Sequence, residues 1–134
     1  MHSTNYTDTF IEVSEDCKAD AGKAPPERDN KSIARMQYEL IINAPYKYTS
    51  DDLIFTIYAK RNKVKNEKLS DSRKTFFSKG QACLRASPLA KTYGWGIHFD
   101  SKSRIAIFGK ESKKYAGLKS DRKLKQLKAM RNKK

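Results

Sequence analysis

Apolar residues recur along this chain with two periods, and these divide it into elements. Thr9-Phe10-Ile11-Glu12-Val13 alternates and predicts an extended strand carrying Ile11 and Val13 on one side. Residues 15–30 show no period and read as an acidic, Pro-containing loop, because Pro25-Pro26 fits neither a helix interior nor a central strand. Ile33, Met36, Leu40 and Ile41 fall at i, i+3, i+7 and i+8, which predicts a helix capped by Asp29 or Asn30 and ended before Pro45. Thr49-Ser50-Asp51-Asp52 supplies a cap and two first-turn carboxylates for a second helix. Its core-facing stripe is Leu53, Ile54, Ile57 and Tyr58, and Lys60 and Arg61 sit at the end where the helix dipole favours cations. Ser70 or Asp71 caps a shorter third helix through Phe76 and Phe77, with Gly80 placed to end it.

Ala82 to Ala86 reads as a short strand, though its periodicity also fits a helix, and Ser87-Pro88 reads as a cap followed by proline at the first position of a single helical turn. Gly94 to Phe99 and Arg104 to Phe108 alternate on either side of four polar residues, the pattern of a β-hairpin. Trp95, Ile97 and Phe99 share one of its faces. Gly94, Gly96 and His98 share the other, where two missing side chains leave space for an approaching group. Further on, Leu124, Leu127 and Met130 at three-residue spacing among lysines predict a basic helical tail over residues 110–134, with Lys114, Lys125 and Lys128 along one side. This order of elements predicts an α+β fold in a single domain spanning residues 1–134. In it a small antiparallel sheet, made of the N-terminal strand and the hairpin, is covered by three to four helices.

Several strings carry a family resemblance: residues 9–17 (TFIEVSEDC), 45–52 (PYKYTSDD), 77–88 (FSKGQACLRASP), 93–98 (YGWGIH) and 128–131 (KAMR). Together the chain resembles a bacterial family of short proteins known only as a domain of unknown function. The resemblance spans nearly the whole chain and implies a bacterial, cytosolic, compact domain. It implies no activity, cofactor or catalytic residue, and it implies a C-terminal end less basic than the one found here.

Composition narrows the class. The 134 residues are 37% hydrophobic and 33% charged, yet six Phe, seven Tyr and one Trp argue for a packed core rather than disorder. No apolar stretch approaches the ~20 residues of a membrane span. The first residues, Met1-His2-Ser3-Thr4-Asn5, lack the basic and apolar regions of a signal peptide. Cys17 and Cys83 lie too far apart for a CxxC pair and are too few for a disulfide framework. A reduced, cytoplasmic protein is expected. The net charge of +14 is unevenly distributed: residues 1–30 carry three Lys/Arg against seven Asp/Glu, whereas residues 110–134 carry eleven against two.

That imbalance defines the leading candidate chemistry. Lys113, Lys114, Lys119, Arg122, Lys123, Lys125, Lys128 and Arg131 suit an array of phosphates, with affinity from displaced counterions and little base readout. The expectation is a binding module contacting RNA or another polyanion through its C-terminal segment, and more a binder than an enzyme. Tyr46, Tyr48 and Trp95 would stack bases if exposed. The bland counterpart is a solvated cationic face that aids solubility. A second candidate is a small-molecule or thiol-dependent enzyme site. There Cys83 would be the nucleophile and His98 its base, while Arg85, Tyr93, Trp95 and His98 would form a ligand pocket. Against it, a free cysteine usually behaves as a small buried hydrophobe. No phosphate-binding loop, dinucleotide fingerprint or zinc-protease motif occurs, and the few His and Cys residues have no metal-ligand spacing, so neither metal nor cofactor is expected.

Overall fold

The computed structural model describes residues 1–133. Its centre is the first strand, β1 (Thr9–Glu12). The hairpin strands β2 (Trp95–Phe99) and β3 (Ile105–Gly109) extend the sheet on one side of β1, and β4 (Lys125–Lys128) lies on the other, giving the order β3-β2-β1-β4. Pairing is antiparallel from β3 to β1 and parallel between β1 and β4, with Ile11 opposite both Ile97 and Leu127. The architecture is α+β, as the sequence predicts. The sheet gains a fourth strand and is therefore mixed.

That fourth strand is where the expected basic helical tail fails. Residues 110–133 contain a seven-residue helix, α5 (Lys113–Lys119), a turn, and then β4. Lys134 lies outside the described residues. The three-residue spacing of Leu124, Leu127 and Met130 mimics a helical stripe, but Leu124 packs beneath α5 while Leu127 packs on the opposite face of the sheet. Backbone pairing with β1 outweighs a local helical preference in a segment with so little apolar surface to bury as a helix.

Because β1 is central, it is buried on both sides. Ile11 joins Ile97, Phe99, Ile105 and Ile107 against a layer of helices: α1 (Ile33–Asn43), α2 (Ser50–Arg61) and the single turn α4 (Pro88–Lys91). Phe10 points the other way, into a smaller cluster with Val13, Tyr115 and Leu118 under α5. Val13 does not share the Ile11 side as the alternation predicts, because β1 ends at Glu12 and Val13 lies beyond it. The Phe10 and Tyr115 rings meet edge to face at 5.1 Å between centroids. Gly96 faces this cluster, and a Cβ there would fall 2.5 Å from Phe10. The space left by that glycine is filled by the protein's own rings and not by a ligand. Helix α3 (Leu69–Phe76) packs on α2 and starts before Ser70 and Asp71, so neither caps it; its N-terminus continues from a 3-10 turn at Asn66–Lys68.

Local signals account for most helix ends. Thr49 caps α2 by accepting from the Asp52 N–H, and Ser87 caps α4 through the Leu89 N–H. Helix α1 starts later than predicted: Ser32, not Asp29 or Asn30, is its cap, accepting from the Arg35 N–H. Residues 82–86 are not a strand. Leu84–Ala86 forms a 3-10 turn closed by Ala86 N–H to Cys83 C=O and Ser87 N–H to Leu84 C=O, and Leu84 alone is buried. The alternation there reflects one core residue flanked by half-exposed ones.

The N-terminal segment is fastened by a buried carboxylate. Asp51, 2% exposed in the first turn of α2, accepts from the Thr4 N–H at 2.7 Å, the Thr4 hydroxyl at 2.8 Å and the Ser3 hydroxyl at 2.7 Å. Its own N–H donates to Asn5 Oδ1 at 2.9 Å, and Ser50 Oγ is hydrogen-bonded to Thr4 Oγ1. Replacing Asp51 with Ala strands several buried donors. Urea denaturation should show a loss of about 3 kcal/mol, because hydrogen bonds to a charged group contribute most when buried. A loss under about 1 kcal/mol would mean that the N-terminal segment holds without this carboxylate.

Candidate functional site

The candidate residues of the enzyme reading lie apart. Cys83 sits on the helix side of the sheet, where its Sγ is 3.4 Å from the Tyr6 hydroxyl and the Tyr6 ring packs edge-on against Phe99. His98 follows Ile97 and precedes Phe99 on β2, so its side chain leaves by the opposite face. No Cys83–His98 dyad forms. Burial, followed by the hydrogen bond to Cys83, pushes the Tyr6 hydroxyl up to about 12, so Tyr6 stays a neutral phenol and cannot act as a base beside the thiol at neutral pH.

The expected ligand pocket is dispersed as well. Arg85 donates from Nε to the Lys128 carbonyl, and its own carbonyl accepts the Met130 N–H, so it joins the 84–86 turn to the end of β4. Trp95 donates its indole N–H to the Lys23 carbonyl at 2.8 Å and lies between Gly22 and Tyr38. The Tyr93 carbonyl accepts the Lys23 N–H. Tyr93 and Trp95 thus hold the 15–30 loop against the sheet, and the half-buried Trp95 is engaged by Lys23, Gly22 and Tyr38.

His98 has a definite partner. Its Nδ1 is hydrogen-bonded to the Tyr46 hydroxyl at 2.8 Å, with the rings edge to face. Burial lowers the imidazole below its usual value, the nearby Lys114 adds to this, and Asp100, Asp121 and Asp8 partly oppose it. Burial, helped by Asp100, raises the Tyr46 hydroxyl. Both groups are neutral at physiological pH, an arrangement that closes this corner of the sheet.

The basic segment, by contrast, is open. Lys113, Lys114, Lys119, Arg122, Lys123, Lys125, Lys128 and Arg131 are all exposed. Lys119 lies 3.5 Å from Glu12 and Lys128 3.1 Å from Glu15, while the other six have no ion-pair partner among the described residues. Gln126 Nε2 donates to the Leu118 and Asp121 carbonyls and so fixes the turn between α5 and β4. Beyond β4, the Asp16 carboxylate accepts from the N–H groups of Asn132 and Lys133 and from the Asn132 amide. These bonds, with the Ser14 hydroxyl foremost, hold Asp16 well below the usual carboxylate range. The clamp therefore persists at neutral pH and weakens as the pH falls through that depressed value.

One feature escapes the sequence patterns. A cleft of about 420 Å³ opens between α1, α2, the end of α3 and residues 81–88. Ile33, Ile54 and Tyr58 line it, three residues whose spacing assigns them to the core stripes of α1 and α2. Helix α1 instead buries Ala34, Gln37 and Ile41, and α2 buries Leu53, Phe55 and Ile57. An apolar stripe wider than the core it packs against is the signal that points here. Of the earlier candidates, only Cys83 borders this cleft.

The model of the Family of unknown function (DUF6157) matches residues 1–134, the whole chain. The chain belongs to this family. No curated protein and no solved structure matches it. Membership thus brings no activity with it, and the chemistry of this DUF6157 member rests on its own geometry. Among the described residues, no cluster of three or more His, Cys, Asp or Glu side chains is arranged to hold a metal, and no helix is long and apolar enough to cross a membrane.

The His98–Tyr46 pair sets a pH dependence. Folded His98 binds a proton less readily than in the unfolded chain, whose value is near 6.5, so acidification below that value favours unfolding. The midpoint from an NMR titration of His98 should fall below 6.5. Wild-type stability should decline as pH drops from there toward the folded value, and His98→Gln should flatten the decline. Parallel stability profiles for the two proteins would remove His98 as the cause.

Proposed function

We propose that this protein is a binding module for RNA or a similar polyanion, and that it makes contact through the face built by α5, the following turn and β4. The observation that supports this most directly is the run of six exposed, unpaired cations among the described residues: Lys113, Lys114, Arg122, Lys123, Lys125 and Arg131. In monomeric surfaces lysines commonly alternate with carboxylates. Here residues 110–134 contain only Glu111 and Asp121, and Glu111 is engaged by the Gly22 N–H. Charge of one sign concentrated on a surface attracts phosphates, and counterion release supplies the affinity.

The change from one long helix to helix, turn and strand alters the contact pattern. Cations on α5 and on the sheet edge flank the turn, so a flexible single strand fits this surface better than a rigid helical groove. Without aromatic stacking from Trp95, contacts go mainly to the backbone and bring little sequence preference. A cytoplasmic setting, where RNA is abundant, is part of this proposal. A second reading has its own support. Edge strand β4 exposes Lys125 and Lys128, and lysines on an unpaired edge discourage strand addition by other chains.

Anisotropy of a labelled mixed-sequence single-stranded RNA over a salt series separates the two. The variant Lys114→Gln, Lys123→Gln, Lys125→Gln should lower the log–log salt slope by roughly two, since each single-strand phosphate contact contributes about 0.7. A control variant, Lys60→Gln, Lys63→Gln, Lys65→Gln, removes equal charge elsewhere and should leave the slope nearly intact. Equal slopes for the two variants would reduce binding to net charge. Absence of binding at physiological salt would leave edge protection as the role of the lysines.

A further inference from the structure

The cleft between α1, α2, α3 and residues 81–88 is apolar, partly open and charged at one point. Its walls include Ile33, Ile54, Ile57, Tyr58, Phe76 and Pro88. Ile33 remains 48% exposed and Tyr58 37%, although the Tyr58 ring has Phe76 as a neighbour at 4.6 Å and Phe55 stacked at 6.1 Å. Large apolar side chains gathered in a concave site mark a place where something apolar binds. About 420 Å³ lies within the ~300–1,000 Å³ typical of small-molecule sites.

The polar groups in the walls are mostly committed to the protein itself. The Ser87 hydroxyl donates to Gln37 Oε1 at 2.6 Å, Gln81 Nε2 to the Phe76 carbonyl, and Asn62 Nδ2 to the Tyr58 carbonyl. Arg61 is the only charged residue among those lining the cleft. It makes one hydrogen bond among the described residues, from Nη1 to the Lys31 carbonyl, and it has no carboxylate partner there. A neighbouring depression is lined by Lys31, Lys60 and Lys63, and Arg61 borders both hollows. The carbonyls at the end of α2 would repel an anion, but those of Tyr58, Ala59 and Lys60 are capped by the N–H groups of Asn62, Val64 and Lys63. With those carbonyls engaged, an anionic head at this rim meets the Arg61 guanidinium.

From this juxtaposition of an apolar wall and one unpaired guanidinium we infer that the cleft binds a small amphipathic carboxylate. The aliphatic or aromatic body lies against Ile33, Ile54, Tyr58 and Phe76, and the carboxylate is paired to Arg61. A guanidinium takes a carboxylate in a two-bonded fork, which fixes the head while the body is held by burial. None of residues 110–133 lines the cleft, so it stands or falls separately from polyanion binding.

Decanoate, kept below its micelle concentration, is the probe, and amide shifts of the full chain are the readout. Saturable shifts are expected at Ile33, Tyr58, Ala82 and Cys83. Saturating decanoate should also slow iodoacetamide alkylation of Cys83 while sparing Cys17. Arg61→Gln, a change at an exposed position, should weaken decanoate roughly tenfold and leave the neutral decanol unchanged, as expected for one charge-assisted contact. Ala82→Trp, also exposed, should fill the cleft and abolish binding of both probes. The inference fails if shifts do not saturate, if they spread over the surface and survive Ala82→Trp, or if decylammonium binds as well as decanoate. It fails equally if Arg61→Gln leaves decanoate affinity unchanged.

Discussion

Phe10 and Ile11 are neighbours in a four-residue strand, and both are fully buried on opposite faces of the sheet. Most of the structure follows from that constraint. A strand apolar on both sides needs cover on both sides, so the chain must supply two layers. The helices α1, α2 and α4 cover Ile11, and α5 with Tyr115 and Leu118 covers Phe10. Each fully buried side chain of this size contributes about 1.5–3 kcal/mol. The strand also needs partners at both edges. It draws one from the hairpin and one from residues 125–128, near the far end of the chain.

The parallel pairing of β1 with β4 ties residue 9 to residue 125 and so encloses almost the whole chain. Such closure is entropically expensive and intrinsically slow, and its reward comes only when the intervening elements are packed. The contacts clustered at both ends of the chain fit this requirement. Asp51 fastens residues 3–5 to α2, Asp16 holds Asn132 and Lys133, and Arg85 donates to the Lys128 carbonyl. None of these adds much apolar burial. Together they fix the segments on either side of β1 and β4, where strand pairing alone would fray.

What the sequence makes legible follows from where each element's information lies. The hairpin, the caps at Thr49 and Ser87 and the strand at Thr9 are encoded by neighbours within a few residues, and these match the structure. Strand β4 is not encoded that way. Lys-Gln-Leu-Lys has one apolar residue, and its extended state is imposed by β1 from more than a hundred positions away. The short strand expected around Cys83 fails for the converse reason: its alternation is real, but local bonds close a turn there, and only Arg85 reaches the end of β4.

The candidate sites divide along the same line. Cys83, His98, Trp95 and Arg85 suggest chemistry by residue type, but type alone does not place them, and the sheet separates Cys83 from His98. Each instead has a structural partner: Tyr6 for Cys83, Tyr46 for His98, the Lys23 carbonyl for Trp95 and the Lys128 carbonyl for Arg85. Two features have no such partner. One is the set of six exposed cations without an ion-pair partner among the described residues, from Lys113 to Arg131, and the other is the apolar cleft ending at Arg61. Both consist of side chains left in water with their strongest interactions unmade, and surfaces of that kind are where a binding partner has the most to gain. The two proposed contacts therefore draw on different physical terms, charge at the exposed cations and apolar burial in the cleft, and they share no residue.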